Sequence, residues 1–426
     1  VLKHIKVLDP ACGSGAFLVA AFDYLLVEYE HTNEAIAALT GSKQQLGLFD
    51  LDRQILQDNL FGVDLNRESV EITRLSLWLK TARRDKPLNN LDANIRCGNS
   101  LVEPLGPDAT ESLREACDAL PADIRAFDWH AAFPAVFERG GFDVVIGNPP
   151  YVRQESISAL KPYLAQCYAS YSGVADLYVY FYERGLSLLA PGGKLSYIVT
   201  NKWMRAGYGE PLRRLFSEQA VFEEILDFGH APIFEDADTF LCIIVARRRP
   251  AEEDVTKAPL PRRERDWGEG DQRAEREVKD RDRRLLQHPP EAGATVEPAP
   301  DPEPATVRVC PVPRDRSTEL SLDNYVHEHA YPVPWSRYGA EPWSLEPPEV
   351  DTLMQRIRER GTPLAEFLSV KPYRGVLTGL NEAFLIDDGT RTALIRDDPG
   401  CADIIKPYLR GQDIKRWARR IGRGYG

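Results

Sequence analysis

Short apolar runs alternate with longer stretches of helical spacing through roughly the first 246 residues. HIKVLD (4–9) reads as a strand and AFLVAAFDYLLVEY (16–29) as the helix that follows it. NLFGVDL (59–65) is a second strand. Its helix, over 67–84, carries Val70, Ile72, Leu75, Leu77, Trp78 and Leu79. NIRC (94–97) is a third strand. Phe142, Val144, Val145 and Ile146 make a fourth, which stops at Gly147-Asn148-Pro149-Pro150-Tyr151 because two adjacent prolines forbid further ladder bonds. Helical spacing returns over 174–189 through Leu177, Phe181, Leu188 and Leu189, and Pro191-Gly192-Gly193 ends it. KLSYIVT (194–200), EEILDF (223–228) and TFLCIIVA (239–246) complete the set, with a helix over 208–218. Seven strands interleaved with helices predict an α/β fold with a doubly wound, mostly parallel seven-stranded sheet. Residues 31–55 read as a polar insertion, and 105–141 as an acidic, alanine-rich helical excursion.

The pattern breaks at 247–316. Arg247-Arg248-Arg249-Pro250 opens a mixed-charge tract, and six prolines follow between 289 and 304, so this stretch is expected to be an extended linker or insertion. A Glu277-Val278-Lys279 triplet within it lacks the apolar strand a nuclease motif would need. From 317 to 426 a second, mixed α/β domain is expected. It holds a turn-rich β pattern, KPYRGVLTGLNEAF (371–384), and a basic-aromatic segment, IIKPYLRGQDIKRWARR (404–420). Cations there neutralise phosphates while Tyr408 and Trp417 offer stacking faces, although a solvated basic helix would look similar.

Composition adds bounds. At 426 residues two or three domains are expected, and 43% hydrophobic with 28% charged residues is ordinary for a globular protein. No apolar run is long enough to span a membrane and no signal peptide is visible. The chain lacks an initiator Met and begins within a strand, which reads as a fragment of something longer. Seven scattered cysteines form no C-x-x-C pair and have no histidine at ligand spacing, so neither a disulfide framework nor a metal site is expected, and a reducing, cytoplasmic compartment fits. The net charge of −12 argues against a nucleic-acid partner until local basic patches are considered.

The chemistry gathers at strand ends. Between the first strand and its helix lies Pro10-Ala11-Cys12-Gly13-Ser14-Gly15, where glycines let a ligand approach the backbone closely. A P-loop would need Gly-Lys-Ser/Thr, and Ala16-Phe17 stands there instead; a dinucleotide fingerprint would need glycine at 18, which is Leu18. The remaining reading is an S-adenosylmethionine turn with Asp9 ending the strand. Asp64 closes the second strand, where a carboxylate accepts ribose hydroxyls. It could instead cap the next helix, a task for which Asn66 is equally suited. Asn99, after the third strand, is placed either to hydrogen-bond an adenine amino group or simply to make a turn. Asn201-Lys202-Trp203 also lies at a carboxyl end.

In combination, DPACGSGAFL (9–18), GVDLN (62–66), NPPY (148–151) and the strand over 193–200 resemble the amino-group DNA methyltransferases of the gamma class, and especially the TaqI-like and type IIG methylases. The strings RGVLTGLNEAF and YLRGQDIKRW resemble that family's specificity domain. The resemblance implies a class I methyltransferase fold, S-adenosylmethionine as cofactor without a metal, and double-stranded DNA as partner in restriction-modification or phage defence. It implies a cofactor site of Asp9, Pro10, Ala11, Cys12, Gly13, Gly15, Asp64, Leu65 and Asn99. Asn148 and the Pro149 carbonyl would accept hydrogen bonds from the N6 amine of a flipped-out adenine within the Asn148-Pro149-Pro150-Tyr151 turn. Tyr151 and Phe234 would stack on the base, with Phe240 as the alternative to Phe234. Arg374, Lys406, Arg410, Lys415 and Arg416 would contact DNA. The family's first cofactor motif falls before Val1. Glutamine-N5 of a protein, cytosine N4, and a non-catalytic DNA-binding subunit are the competing readings.

Overall fold

The computed structural model describes residues 2–40, 48–81, 90–121, 124, 126–229, 240–250, 306–313, 321–362, 366–367, 387–405, 414–415 and 418–419. Its centre is β1 (Val7–Asp9), all three residues of which are buried. β1 pairs in parallel with β2 (Leu60–Asp64) on one side and β4 (Phe142–Gly147) on the other. β3 (Ile95–Cys97) joins β2, and β5 (Leu189–Thr200) joins β4, both in parallel. β7 (Leu241–Arg248) lies antiparallel between β5 and β6 (Ala220–Asp227). The sheet reverses direction of winding between β1 and β4. In open α/β sheets, ligands bind at the carboxyl ends of strands flanking such a reversal.

The sheet has nine strands, not the expected seven. β8 (Thr306–Pro311) pairs in parallel with β6, and β9 (Tyr331–Pro334) pairs antiparallel with β8. The cause is a short period-two pattern: Val307 and Val309 are fully buried while Thr306 and Arg308 face out. Each such buried valine contributes about 1.5–3 kcal/mol, which favours adding the strand over leaving it solvated. The expected linker therefore ends before Thr306. The expected domain boundary at 317 falls inside a first compact unit that runs from Val1 to Asp351, and a second unit spans Thr352–Gly426.

Three other elements differ from expectation. β5 begins at Leu189, so Pro191-Gly192-Gly193 sits within the strand as an irregularity in its pairing with β4, with Gly192 at φ +79°. The supposed polar insertion is largely helical: the first helix runs Ala16–Thr40, and Leu48–Gln54 leads into a π-turn at Ile55–Asn59. The helix before β5 is Tyr178–Leu188, with eight of its residues buried. Within the second unit, helices span Asp388–Asp397 and Cys401–Ile404, and Ile414–Lys415 pairs antiparallel with Ala418–Arg419. Among the described residues no helix is long and apolar enough to cross a membrane.

Candidate active site at the carboxyl edge of the sheet

β1 ends at Asp9, and the chain turns through Pro10–Gly15 into the helix Ala16–Thr40. Gly13 (φ +52°) and Gly15 (φ +84°) take left-handed conformations that a side chain would strain. A Cβ at Gly15 would lie 2.9 Å from Thr73 Cγ2, so the helix Arg67–Thr81 packs directly on the turn. Thr73 Oγ1 also donates to the Gly13 carbonyl at 2.8 Å.

The helix cap, which the sequence left to either Asp64 or Asn66, is made by Asn66. Asn66 Oδ1 accepts from the Glu68 and Ser69 N–H groups at 2.7 and 3.3 Å and so caps the helix. Asp64 turns to the glycine loop: its Oδ2 accepts from Gly13 N at 2.9 Å and its Oδ1 from Asn66 N at 2.8 Å. Asn99 Oδ1 accepts from Leu101 N at 3.0 Å, which makes the turn and directs its N–H2 group elsewhere. Ser100 Oγ donates to the Pro10 carbonyl at 2.5 Å, tying the turn after β3 to the turn after β1.

Asp9 is 1% exposed. Its Oδ1 accepts from Ala11 N at 3.0 Å, and a Cβ on Gly147 would sit 2.7 Å from the same oxygen, so the end of β4 closes over this carboxylate. Burial pushes its pKa up to about 7, with a further push from the charge on Asp64 and a partial offset from the Ala11 hydrogen bond.

The end of β4 supplies the most informative atom. Asn148 Oδ1 is buried and has no hydrogen-bond partner among the described residues. Leaving such an acceptor unsatisfied costs about 1–3 kcal/mol, which a ligand donor would recover. Asn148 and Pro150 line one pocket together with Pro10, Ala11, Gly13, Asp64, Leu65 and Asn99. Its volume is about 390 Å³, the size of a small-molecule site. Ser100, Leu101, Val152, Leu160, Leu177 and Phe181 complete the wall. None of these six stands out in the sequence as a site residue. Only the helical spacing of Leu177 and Phe181 is visible there, and that pattern marks a buried face without saying what it faces.

The remaining expected residues stand around the pocket. Cys12 is buried against Leu18 and Gly62, where burial pushes its thiol pKa up and keeps it protonated. Pro149 is buried. Tyr151 is half-buried and donates its hydroxyl to the Ile198 carbonyl at 3.1 Å, which fixes its ring beside β5 and outside the pocket lining. Phe240 is 37% exposed. Phe234, Arg374, Lys406, Arg410 and Arg416 lie outside the described residues, and of Lys415 only the backbone, in its short strand, is described.

Among the described residues the pocket lining contains Asp64 and no cationic side chain, with Asp9 directly behind Ala11. Such a surface repels a pyrophosphate and suits a ligand carrying positive charge and hydroxyl groups. S-adenosylmethionine, a sulfonium bearing a ribose, fits that donor set.

Residues 58–234 match the Eco57I restriction-modification methylase family. The chain is 28% identical over 260 residues to the type II restriction enzyme and methyltransferase RM.Eco57I of Escherichia coli, a match covering 57% of this chain and 24% of that protein. It is 28% identical over 271 residues to the adenine-specific methyltransferase PglX of Streptomyces coelicolor, covering 58% of this chain and 21% of that one. The matched region is thus about a quarter of the length of these relatives. A solved structure of the Type IIL restriction-modification enzyme MmeI in complex with DNA superposes with a TM-score of 0.55 at 12% identity, covering 100% of this chain and 45% of that chain, which shows a shared fold. The chain is thus similar to the Eco57I restriction-modification methylase family over residues 58–234, the stretch that carries β2 through β6 of the sheet.

Proposed function

We propose that this chain is a DNA methyltransferase that transfers a methyl group from S-adenosylmethionine to the N6 amine of an adenine turned out of duplex DNA. The observation that carries this reading is the partnerless, buried Asn148 Oδ1 in the same pocket as Gly13, Asp64 and Asn99. Bound S-adenosylmethionine supplies an already activated sulfonium methyl group. Asp64 accepts ribose hydroxyls, exposed Leu65 covers the base, and the Asn99 N–H2 group donates to an adenine ring nitrogen. Asp9, ionised, balances the ligand's positive charge.

The adenine amine is a poor nucleophile because its lone pair is delocalised into the ring. Asn148 Oδ1 and the Pro149 carbonyl would accept hydrogen bonds from its two N–H groups and so direct the lone pair towards the methyl, the amine's surplus proton passing to water once its N–C bond has formed and the sulfonium C–S bond has broken. Alignment accounts for most of the remaining rate, since holding two reactants in line replaces a bimolecular encounter. Unstacking the base costs a few kcal/mol. The ring of Tyr151, anchored through its hydroxyl, offsets part of that by stacking, as does an aromatic from Phe234 or Phe240. Arg374, Lys406, Arg410, Lys415 and Arg416 contribute phosphate contacts that an acidic chain otherwise lacks.

The test is Asn148→Ala. Methyl transfer to duplex DNA is expected to fall by at least about a hundredfold, while calorimetry shows S-adenosylmethionine binding within a few-fold of wild type. Near wild-type methylation by that variant would overturn the catalytic assignment. PglX is named as adenine-specific, which supports adenine over cytosine as the target.

A further inference from the structure

The segment after β5 is built differently from an ordinary surface loop. Asn201–Met204 and Gly207–Gly209 are two short 3-10 turns at the carboxyl end of β5. β5 runs beside β4, with Tyr197 in register with Gly147, so this loop emerges next to the Asn148–Tyr151 turn. Its far end touches the helix behind the pocket: Tyr208 Oη lies 2.9 Å from Tyr178 Oη, at the start of the helix that carries Phe181.

The loop is fastened from below. Trp203 and Met204 are buried, and the Met204 carbonyl accepts from Trp343 N at 2.8 Å. Arg213, only 2% exposed, donates to the Trp203, Ala206 and Ala340 carbonyls at 2.6, 2.9 and 2.8 Å. A buried guanidinium is spent on three neutral carbonyls, and what it fixes is the course of this loop. Gly209 leaves no slack either, since a Cβ there would stand 1.9 Å from the Trp203 carbonyl. At the start, Asn201 Nδ2 donates to Asp227 Oδ1 at 2.8 Å, and Asn201 N donates to the Phe240 carbonyl at 2.7 Å.

Between these buried anchors, Lys202 and Arg205 are exposed, and neither has an ion-pair partner among the described residues. Two exposed cations without an ion-pair partner among the described residues, on a rigid loop beside the Asn148–Tyr151 turn, suit an anionic partner at that place. A preformed loop also loses little conformational entropy on binding. We propose that Asn201–Gly209 is a preformed nucleic-acid clamp, with Lys202 and Arg205 contacting backbone phosphates that flank the target base. This rests on the DNA methyltransferase reading above and adds a phosphate-binding surface within the first unit itself.

The experiment compares the full chain with a Lys202→Ala/Arg205→Ala double variant, using a fluorescein-labelled duplex in a salt series and S-adenosylmethionine titrations as the folding control. Cofactor affinity is expected to match wild type. Duplex affinity is expected to fall for every sequence alike, and the slope of log K against log salt to shrink by about 2, near 0.9 for each phosphate that is no longer neutralised. Wild-type binding with an unchanged slope in the double variant overturns the clamp alone. A wild-type chain that shows no salt-dependent duplex binding overturns the DNA reading beneath it.

Discussion

At the scale of single residues, the site is defined by two polar groups that the fold buries without full compensation. Asn148 Oδ1 lacks a partner among the described residues, and Asp9 is held under Gly147 with a pKa of about 7 against an ordinary 3.8. The second has a pH signature with a definite sign. Folded Asp9 keeps a proton that the unfolded chain has lost, so its contribution to stability is complete below about pH 4 and is lost as pH rises to about 7. A cationic cofactor selects the ionised form, so its affinity should climb with pH and level off above about 7. The rise below that point approaches about tenfold per pH unit. Calorimetry at about pH 6 and pH 8, either side of that value, checks this, and Asp9→Asn should flatten the profile; a flat profile in wild type would remove Asp9 from cofactor binding. Residue identities alone make Asp9, Gly13, Asp64 and Asn148 legible, because each sits in a local string with its own chemistry. Thr73, Ser100 and Phe181 are not, because their roles depend on neighbours that are distant in sequence. Which of Asp64 and Asn66 caps the helix needs hydrogen-bond geometry, since either side chain suits that task.

At the scale of elements, the parallel half of the sheet is legible from apolar runs ending in glycine, proline or asparagine. The strand Thr306–Pro311 is not, since its two inward valines follow a proline-rich tract whose composition dominates any local window. Yet Val307, Val309, Val333, Tyr338, Trp343 and Leu345 belong to the core. Trp343 is 2% exposed and packs against Trp203, Phe222 and Tyr338 with ring centroids 5.0 Å apart in each pair. Trp343→Ala should therefore lower the stability of the first unit by about 3–5 kcal/mol, read from urea denaturation. A change under about 1 kcal/mol would show that this extension is peripheral. The same packing explains how residues far along the chain come to set the loop that carries Lys202 and Arg205: the Ala340 carbonyl and the Trp343 amide both hold it.

At the scale of the whole molecule, an acidic pocket suited to a cationic cofactor sits beside a turn suited to an amine, in a fold shared with a restriction-modification enzyme solved on DNA. With a net charge of −12, the proposed DNA binding rests on local basic groups and is expected to weaken steeply with salt. What separates the proposed reaction from its rivals is the identity of the acceptor atom. It can be read directly by incubating the full chain with duplex DNA and S-adenosylmethionine labelled in its methyl group, digesting the DNA to nucleosides and identifying the labelled product. Label is expected in N6-methyladenosine of the deoxy series. Label in N4-methylcytosine, or in protein with none in DNA, would contradict the assignment.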